Sequence, residues 1–307
     1  MDAVKKPMVS VIMGVYNQWD KQALYEAVYS ILNQTFTDFE FIIWNDGSDE
    51  ETSEALNELP SLDSRIILAG KDENKGLAFS LNECIKLARG KYIARMDADD
   101  ISYTKRFEKE IEFLEENKEY SWVGCNTDLF DESGIWGKRE MPAYPVNDDY
   151  LRFSPFVHPS VMYRASIFDK NEGYLESEET LRCEDYEIFM RFKKAGLKGA
   201  NLQERLFCYR ENTESYKRRS FKCRINEAKL RYHNFKEMGI LFPKGWLFVL
   251  RPIIACLVPK GVLAKYKRRE SAVNTDLLEE AKRYEKRESI ITAGNRIYSR
   301  PVNSVRQ

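Results

Sequence analysis

The sequence predicts an α/β fold, a mostly parallel sheet flanked by helices, followed by a helical appendage in the last third of the chain. Three observations predict it. Short apolar runs alternate with helical patterns through the first half, which is the signature of a parallel sheet covered on both faces. Polar residues gather directly after three of those runs, where such sheets bind ligands. A segment of different character, apolar and then basic, begins at Gly239.

Each element has its own signal. Val9–Val15 is β-branched and too short for a helix, so it reads as a buried strand. Lys21–Asn33 places Leu24, Val28, Ile31 and Leu32 at helical spacing. Phe39–Trp44 is the next strand, ended by the turn residues Asp46-Gly47-Ser48. A short helix near Glu51–Leu59 and a strand at Arg65–Ala69 follow. Leu77–Ala88 is helical, Lys91–Met96 is a strand, and Lys105–Asn117 is a strongly amphipathic helix. The pattern loosens after Trp122–Phe130. His158-Pro159-Ser160 precedes a short strand, Val161–Tyr163, and Glu184–Ala195 reads as a helix opened by acidic residues.

Composition narrows the function. The chain has 307 residues, 32% charged and 43% hydrophobic, the balance of a globular protein rather than a disordered one. A net charge of −1 supplies no global basic field, so no nucleic acid is expected as a partner. The six cysteines are scattered without a CxxC pair, which argues against a zinc knuckle or redox dithiol and suggests reduced thiols in a cytosolic chain. The first ten residues lack the apolar core of a signal peptide. With only two histidines, His158 and His233, any metal must be held by oxygen ligands.

The informative segment is Asp97-Ala98-Asp99-Asp100. Three carboxylates within four residues at a strand end repel one another unless a cation lies among them, and a hard divalent ion such as Mn²⁺ or Mg²⁺ is the natural partner. Alone, the run equally suits a solvated acidic turn before the next helix. Tyr16-Asn17 and Asn45-Asp46 occupy equivalent positions after the first two strands, and three such sets make a pocket the better reading. A nucleotidyltransferase would also pair this sheet with acidic metal ligands, but Val15-Tyr16-Asn17 is unlike its Gly-rich, basic loop. No GxGxxG follows the first strand, which disfavours a nicotinamide dehydrogenase. A non-catalytic membrane-bound binding module is a third alternative.

As a set, Ser10–Asn17, Ile31–Phe36, Phe39–Asp49, Glu73–Asn82, Gly90–Asp100, His158–Tyr163 and Glu184-Asp185 resemble the inverting family-two glycosyltransferases, with their GT-A type nucleotide-sugar fold. The resemblance spans roughly residues 7–215 in the family's order. It implies a catalytic domain over 1–215, with the nucleotide-sugar part at about 1–130 and the acceptor part at about 131–215; the remainder, 216–307, reads from its own residues as a C-terminal helical, membrane-peripheral region. It implies a UDP-sugar donor, with Val15, Tyr16 and Asn17 lining the nucleotide pocket, Asp46 accepting a hydrogen bond from uracil, Asp97 contacting the nucleoside and Asp99 binding the metal. Asn45 stands where the family usually has a first aspartate. Gly76 suits a backbone that passes close to the ligand while opening a helix. Arg95 suits either a counter-charge for the diphosphate or an outward-facing strand residue, and Arg106 either a partner for the acidic cluster or a solvated helix face.

Read from the residues alone, Glu184-Asp185 is an acidic pair stabilised by a helix N-terminus. The resemblance makes Asp185 the base that takes the acceptor's proton, with Glu184 positioning acceptor or base. His158 suits a satisfied structural histidine or an acceptor contact. Tyr209-Arg210 resembles the family's late Tyr-Arg segment near the diphosphate, although Glu211-Asn212 replace the customary following histidine.

Phe242–Val258 is the most apolar stretch, but Arg251 and Pro252 interrupt it, leaving each run far shorter than the roughly 20 residues that span a bilayer. Lys260, Lys265, Lys267, Arg268 and Arg269 follow. Such a segment suits either a helix pair packed on the catalytic domain or one lying in a membrane interface. The second reading puts the protein at the cytoplasmic face of the inner (cell) membrane, as a peripheral protein beside a lipid-linked saccharide acceptor. The function expected is inverting transfer of a hexose, as a β-1,3-glucosyl- or galactosyltransferase, in O-antigen or capsule synthesis.

Overall fold

In the computed structural model, residues 6–211 and 220–256 are described, and they form one nine-stranded sheet with seven α-helices around it. The first half follows the expected alternation: β1 (Val9–Val15), α1 (Lys21–Leu32), β2 (Phe39–Asp46), α2 (Glu50–Glu58), β3 (Ile66–Lys71), α3 (Leu77–Leu87) and β4 (Tyr92–Arg95). Local chemistry starts the helices. Asp20 caps α1 by accepting from the Ala23 N–H, and Asp49 caps α2 by accepting from the Thr52 N–H. β2 runs two residues past the apolar stretch, so Asn45 and Asp46 end the strand itself.

The second half changes the architecture. β5 (Ile101–Ser102) and α4 (Arg106–Glu116) lead to the long β6 (Trp122–Asp131), which folds back as a hairpin with β7 (Gly134–Arg139). Then come β8 (Met162–Arg164), α5 (Glu184–Lys194), β9 (Gly199–Arg210), α6 (Phe221–Glu237) and α7 (Trp246–Ile254). The main path of the sheet is β3-β2-β1-β4-β8-β6-β9-β5. β1 to β4 are mutually parallel, but β8 joins β4 and β6 antiparallel, and β5 joins β9 antiparallel. The sheet is therefore mixed rather than mostly parallel. β6 explains how: its start pairs with β8 and its end with β7 on the same edge, while β9 follows it along the other. The far end of β6 thus carries the same sheet past β8, with β7 on one edge and β9 on the other.

Alternating side chains divide the core between the two faces. Val9, Val11, Met13, Phe41 and Ile43 pack with α1, α2 and α4 through Leu24, Leu56 and Phe107. Ile12, Ile42, Trp44 and Ile93 face the other way, toward Leu81 of α3 and Phe189 of α5. That second core also takes in Phe235 of α6, Leu241 just before α7, and Val249 of α7, so the described part of the C-terminal region is packed against α5's side of the molecule. The cluster Lys260–Arg269 lies outside the described residues, as does the chain beyond it. Arg106 is fully buried on α4, paired with Glu110 and donating to the carbonyls of Arg95 and Val161, so neither a solvated face nor a link to the acidic carboxylates describes it. Burial pushes Glu110 up to about 7, with Arg106 opposing the shift.

Candidate active site

β1, β2 and β4 run side by side in the same direction, so their carboxyl ends open on one edge of the sheet. Side chains then tie the three exit loops together. The Asn17 N–H donates to Ser48 Oγ at 3.1 Å, and Asn17 Oδ1 accepts from the Asp49 N–H at 2.8 Å. Gln18 Nε2 donates to the Ala98 carbonyl at 3.1 Å, joining the first loop to the acidic one. Asn17 holds a left-handed backbone, φ 46°, which a short polar side chain tolerates best after glycine. Val15 is buried beneath these loops, and Tyr16, 53% exposed, presents its ring at the rim.

Asp46 is 2% exposed, and its carboxylate accepts from Asn74 Nδ2 and from the Lys75 and Gly76 N–H groups at 2.8–3.0 Å. Three of roughly four lone-pair sites are thereby occupied by the chain itself. Gly76 caps α3 at φ 93°, ψ 166°, a conformation reserved for glycine, and a Cβ there would meet nothing within 4 Å. Backbone shape, not crowding, requires this glycine.

Asp97, Asp99 and Asp100 bring one carboxylate oxygen each within 4.8 Å of one another. They belong to three surroundings. Asp97 is part-exposed and pairs with Arg95 Nη2 at 2.5 Å. Asp100 is buried, accepts from the Arg210 N–H at 2.7 Å, and leaves Oδ2 without a hydrogen-bond partner. Burial, then the charges of Asp99 and Asp97, push the Asp100 carboxyl well above its usual range. An orphaned buried oxygen beside two further carboxylates is the donor set that a hard divalent cation satisfies, so the residues fit Mn²⁺ or Mg²⁺.

Two basic residues frame the acidic loop, one of them underrated by the sequence. Arg210 comes from the end of β9, which pairs with β5 just beyond the aspartates. Its Nε donates to the Asp99 carbonyl at 2.8 Å and its guanidinium lies 4.4 Å from the centre of the Phe130 ring. Arg210 thus lies against the acidic loop, while Asn212 lies outside the described residues. Arg95 is 1% exposed and faces inward, beneath the loop. Burial works against its charge, but the Asp97 carboxylate holds the guanidinium above even its ordinary range.

Glu184 and Asp185 open α5, with Glu187 in the same turn and three basic residues in the last. Glu184 is buried, and burial raises its carboxyl above the usual value while the backbone N–H groups of Glu184 and Arg182 oppose that. Asp185 is part-exposed, and its charge acts on the hydroxyls of Tyr163 and Tyr174, which are also within reach of Arg95. His158 is buried with Nε2 2.7 Å from the Tyr174 hydroxyl, so the satisfied core histidine is what the structure shows. Tyr174 carried no sequence signal, because its loop is defined by long-range contacts. A separate cavity of about 390 Å³, lined by Met8, Asp38, Arg89 and Lys91, sits at the opposite, starting ends of these strands. It is remote from the carboxylates and takes no part in the site.

The sequence profile of glycosyl transferase family 2 matches residues 10–175. EpsE of Bacillus subtilis (strain 168), whose name assigns it provisionally to the glycosyltransferases, is 37% identical over 261 residues, covering 85% of this chain and 93% of that one. The UDP-Gal:α-D-GlcNAc-diphosphoundecaprenol β-1,3-galactosyltransferase of Escherichia coli is 31% identical, covering 82% and 92%. Among solved structures, S. aureus TarS 1–349 in complex with UDP superposes with a TM-score of 0.61 at 17% identity, covering 83% of this chain and 76% of that one.

Proposed function

Because the chain belongs to glycosyl transferase family 2 and is a sugar-transferring enzyme, we propose that it moves a hexose from a UDP-sugar to a hydroxyl of a polyprenyl-diphosphate-linked saccharide. The observation that carries this reading is the cluster of Asp97, Asp99 and Asp100 at the strand ends, tied by Gln18 to the loop of Tyr16 and Asn17. Val15, Tyr16 and Asn17 form the nucleoside wall, with Asp46 beside the base and Gly76 held against it. Asp97 contacts the nucleoside, its posture set by Arg95. Asp99, with Asp100 beside it, holds the metal. When bound, Mn²⁺ or Mg²⁺ neutralises the diphosphate charge that grows as the glycosyl bond breaks.

The chain's own groups account for the rest. Asp185 accepts the proton of the attacking acceptor hydroxyl, and Glu184 braces that carboxylate from a buried position. The hydroxyl oxygen bonds to the anomeric carbon while the bond to UDP breaks, its electron pair passing to the phosphate oxygen. In-line displacement converts an α-linked donor into a β-linked product. The Escherichia coli relative named for β-1,3-galactosyl transfer to a diphosphoundecaprenol-linked GlcNAc, a second named for the matching β-1,3-glucosyl transfer, and a third named for O-antigen biosynthesis support a β-1,3-galactosyl or glucosyl transfer in surface polysaccharide synthesis. Peripheral attachment to the cytoplasmic face of the cell membrane draws support from α7, whose outer face is apolar and exposed. Among the described residues, no helix is long and apolar enough to cross a membrane. Family membership leaves the nucleotidyltransferase and the non-catalytic module without support.

The test is a donor screen with Mn²⁺ on a polyprenyl-diphosphate-linked N-acetylhexosamine analogue. UDP-glucose or UDP-galactose is expected to be used, and Asp99→Ala and Asp185→Asn each to lower kcat by about 10²-fold or more. Preference for GDP-mannose would overturn the uridine assignment. Undiminished transfer by Asp99→Ala with chelator present would sink the metal assignment.

A further inference from the structure

Below the acidic loop lies a buried polar group that the steps above do not use. His158, Tyr163 and Tyr174 are all buried, with the Tyr174 hydroxyl 2.7 Å from His158 Nε2 and 3.4 Å from the Tyr163 hydroxyl. Arg95 adds a guanidinium whose Nε and Nη1 are buried without a hydrogen-bond partner. Its charge acts on all three rings, and both Asp97 and Asp185 act on Tyr174. Tyr174 thus stands within electrostatic reach of the donor-side and acceptor-side carboxylates at once.

Packing does not demand this polarity. The surrounding rings are Phe156, Phe168, Phe189 and Phe192, and phenylalanine would fill the same space without burying a hydroxyl. The backbone of Tyr174 is held with equal care. Asn82 of α3 pairs with both its N–H and its carbonyl at 2.8 Å. Arg191 of α5 donates to the Glu172 carbonyl at 2.8 Å and the Gly173 carbonyl at 2.6 Å, while paired with Glu187. A Cβ on Gly173 would sit 2.2 Å from Asn82 Oδ1, so a larger residue there would push the Asn82 amide off the Tyr174 backbone. Residues 172–174 therefore form a strap clamped between two helices. α3 begins at the Asp46–Gly76 bond, and α5 carries Asp185 in its first turn.

We propose that Tyr174 is a positioning residue for transfer, its hydroxyl seated by His158 so that the Arg95–Asp97 pair and the Asp185 helix keep a fixed relation. This rests on the roles given to Asp97 and Asp185 above. A hydroxyl seated between His158 and Tyr163, on a strap tied to both helices, limits how far base and donor drift apart before attack.

The experiment compares wild type, Tyr174→Phe, Asn82→Ala and Tyr92→Phe in Mn²⁺-dependent turnover of the preferred UDP-sugar. Tyr92 is a buried tyrosine of β4 whose hydroxyl bonds Glu115 instead, so its loss controls for removing a buried hydroxyl. Tyr174→Phe is expected to lower kcat about tenfold with KM for the donor within about twofold, and Tyr92→Phe to leave kcat within about twofold. Asn82→Ala, which loosens the strap and keeps the tyrosine, is expected to lower kcat in the same sense, and decides the matter if Tyr174→Phe does not fold. Unchanged kcat in the Tyr174 or Asn82 variant, a loss confined to KM, or an equal loss in Tyr92→Phe overturns the proposal. Wild-type protein that turns over no UDP-sugar overturns the functional reading, and this inference with it.

Discussion

Asp97, Asp99 and Asp100 are neighbours in sequence, yet one faces Arg95, one shares its backbone with Arg210 and one is buried with an unpartnered oxygen. The cluster itself is legible in the sequence because its members are local. The division of labour is not, since Arg210 arrives from more than a hundred residues away. His158 shows the same limit, and it makes a measurable prediction. Burial and then the Arg95 charge depress its imidazole well below the usual histidine value, so it is neutral in the folded protein. The unfolded chain takes up that proton near pH 6.5, whereas the folded chain takes it up only at a lower pH. Its stabilising contribution is therefore complete above about pH 6.5 and is lost as pH falls toward the depressed value, by up to ~1.4 kcal/mol per pH unit. Urea titrations between pH 7.5 and 5.5 should show a shallower decline in His158→Gln than in wild type. Parallel slopes would mean that His158 titrates alike in both states. The only other histidine, His233, is exposed on α6.

At the scale of elements, legibility follows the range of the forces involved. β1, α1, α3, β4 and α4 were readable from periodicity because each buries a face fixed by its own residues. β9 was not, because Asn201, Gln203, Glu204 and Arg205 break its alternation and the strand exists through its shifted register with β6. The mixed character of the sheet is hidden for a related reason: β8 is three residues long, too short for its own residues to declare its antiparallel pairing with β4. Gly76 lies between these extremes, as both it and Asp46 are visible in the sequence but the bond between them is not. Gly76→Ala must force an L-residue to φ 93°, ψ 166°, which costs about 1–3 kcal/mol. Because the Gly76 N–H is bonded to Asp46, the loss should weaken UDP binding as well as lower the denaturation midpoint. Calorimetric titration with UDP and Mn²⁺ checks the coupling, and a destabilised variant with unchanged affinity would leave Asp46 a purely structural residue.

On the proposed reading the whole molecule brings a water-soluble donor to a lipid-anchored acceptor, and its last three described helices pack on one another beside the catalytic part. α5 carries Asp185 at its start, α6 contributes Phe235 to the core beneath α5, and α7 closes over α6 with Val249 and Pro252 inward. Arg251 of α7 also donates to the Arg152 carbonyl at 3.0 Å, fixing the helix to the catalytic part. The outward side is inverted from that of an ordinary surface helix. Leu247 is 71% exposed and Phe242 72%, beside exposed Trp246, Leu250 and Ile254, with Lys244 and Arg251 among them. Apolar area next to cations is what an anionic bilayer surface attracts. Cutting the chain after Gly239 would strip Leu241 and Val249 from the shared core, so point substitutions are the cleaner probe. Replacing Phe242, Leu247 and Leu250 together by serine touches only exposed positions and should leave the fold and the turnover of a short-chain, detergent-free acceptor analogue unchanged. Co-sedimentation with vesicles containing anionic lipid should fall by about tenfold or more, since each buried apolar side chain contributes about 1.5–3 kcal/mol. Transfer to a full-length polyprenyl-diphosphate acceptor in those vesicles should fall in proportion. Equal sedimentation of both proteins would show that α7 is not the lipid contact, and would leave the attachment to be sought elsewhere in the chain.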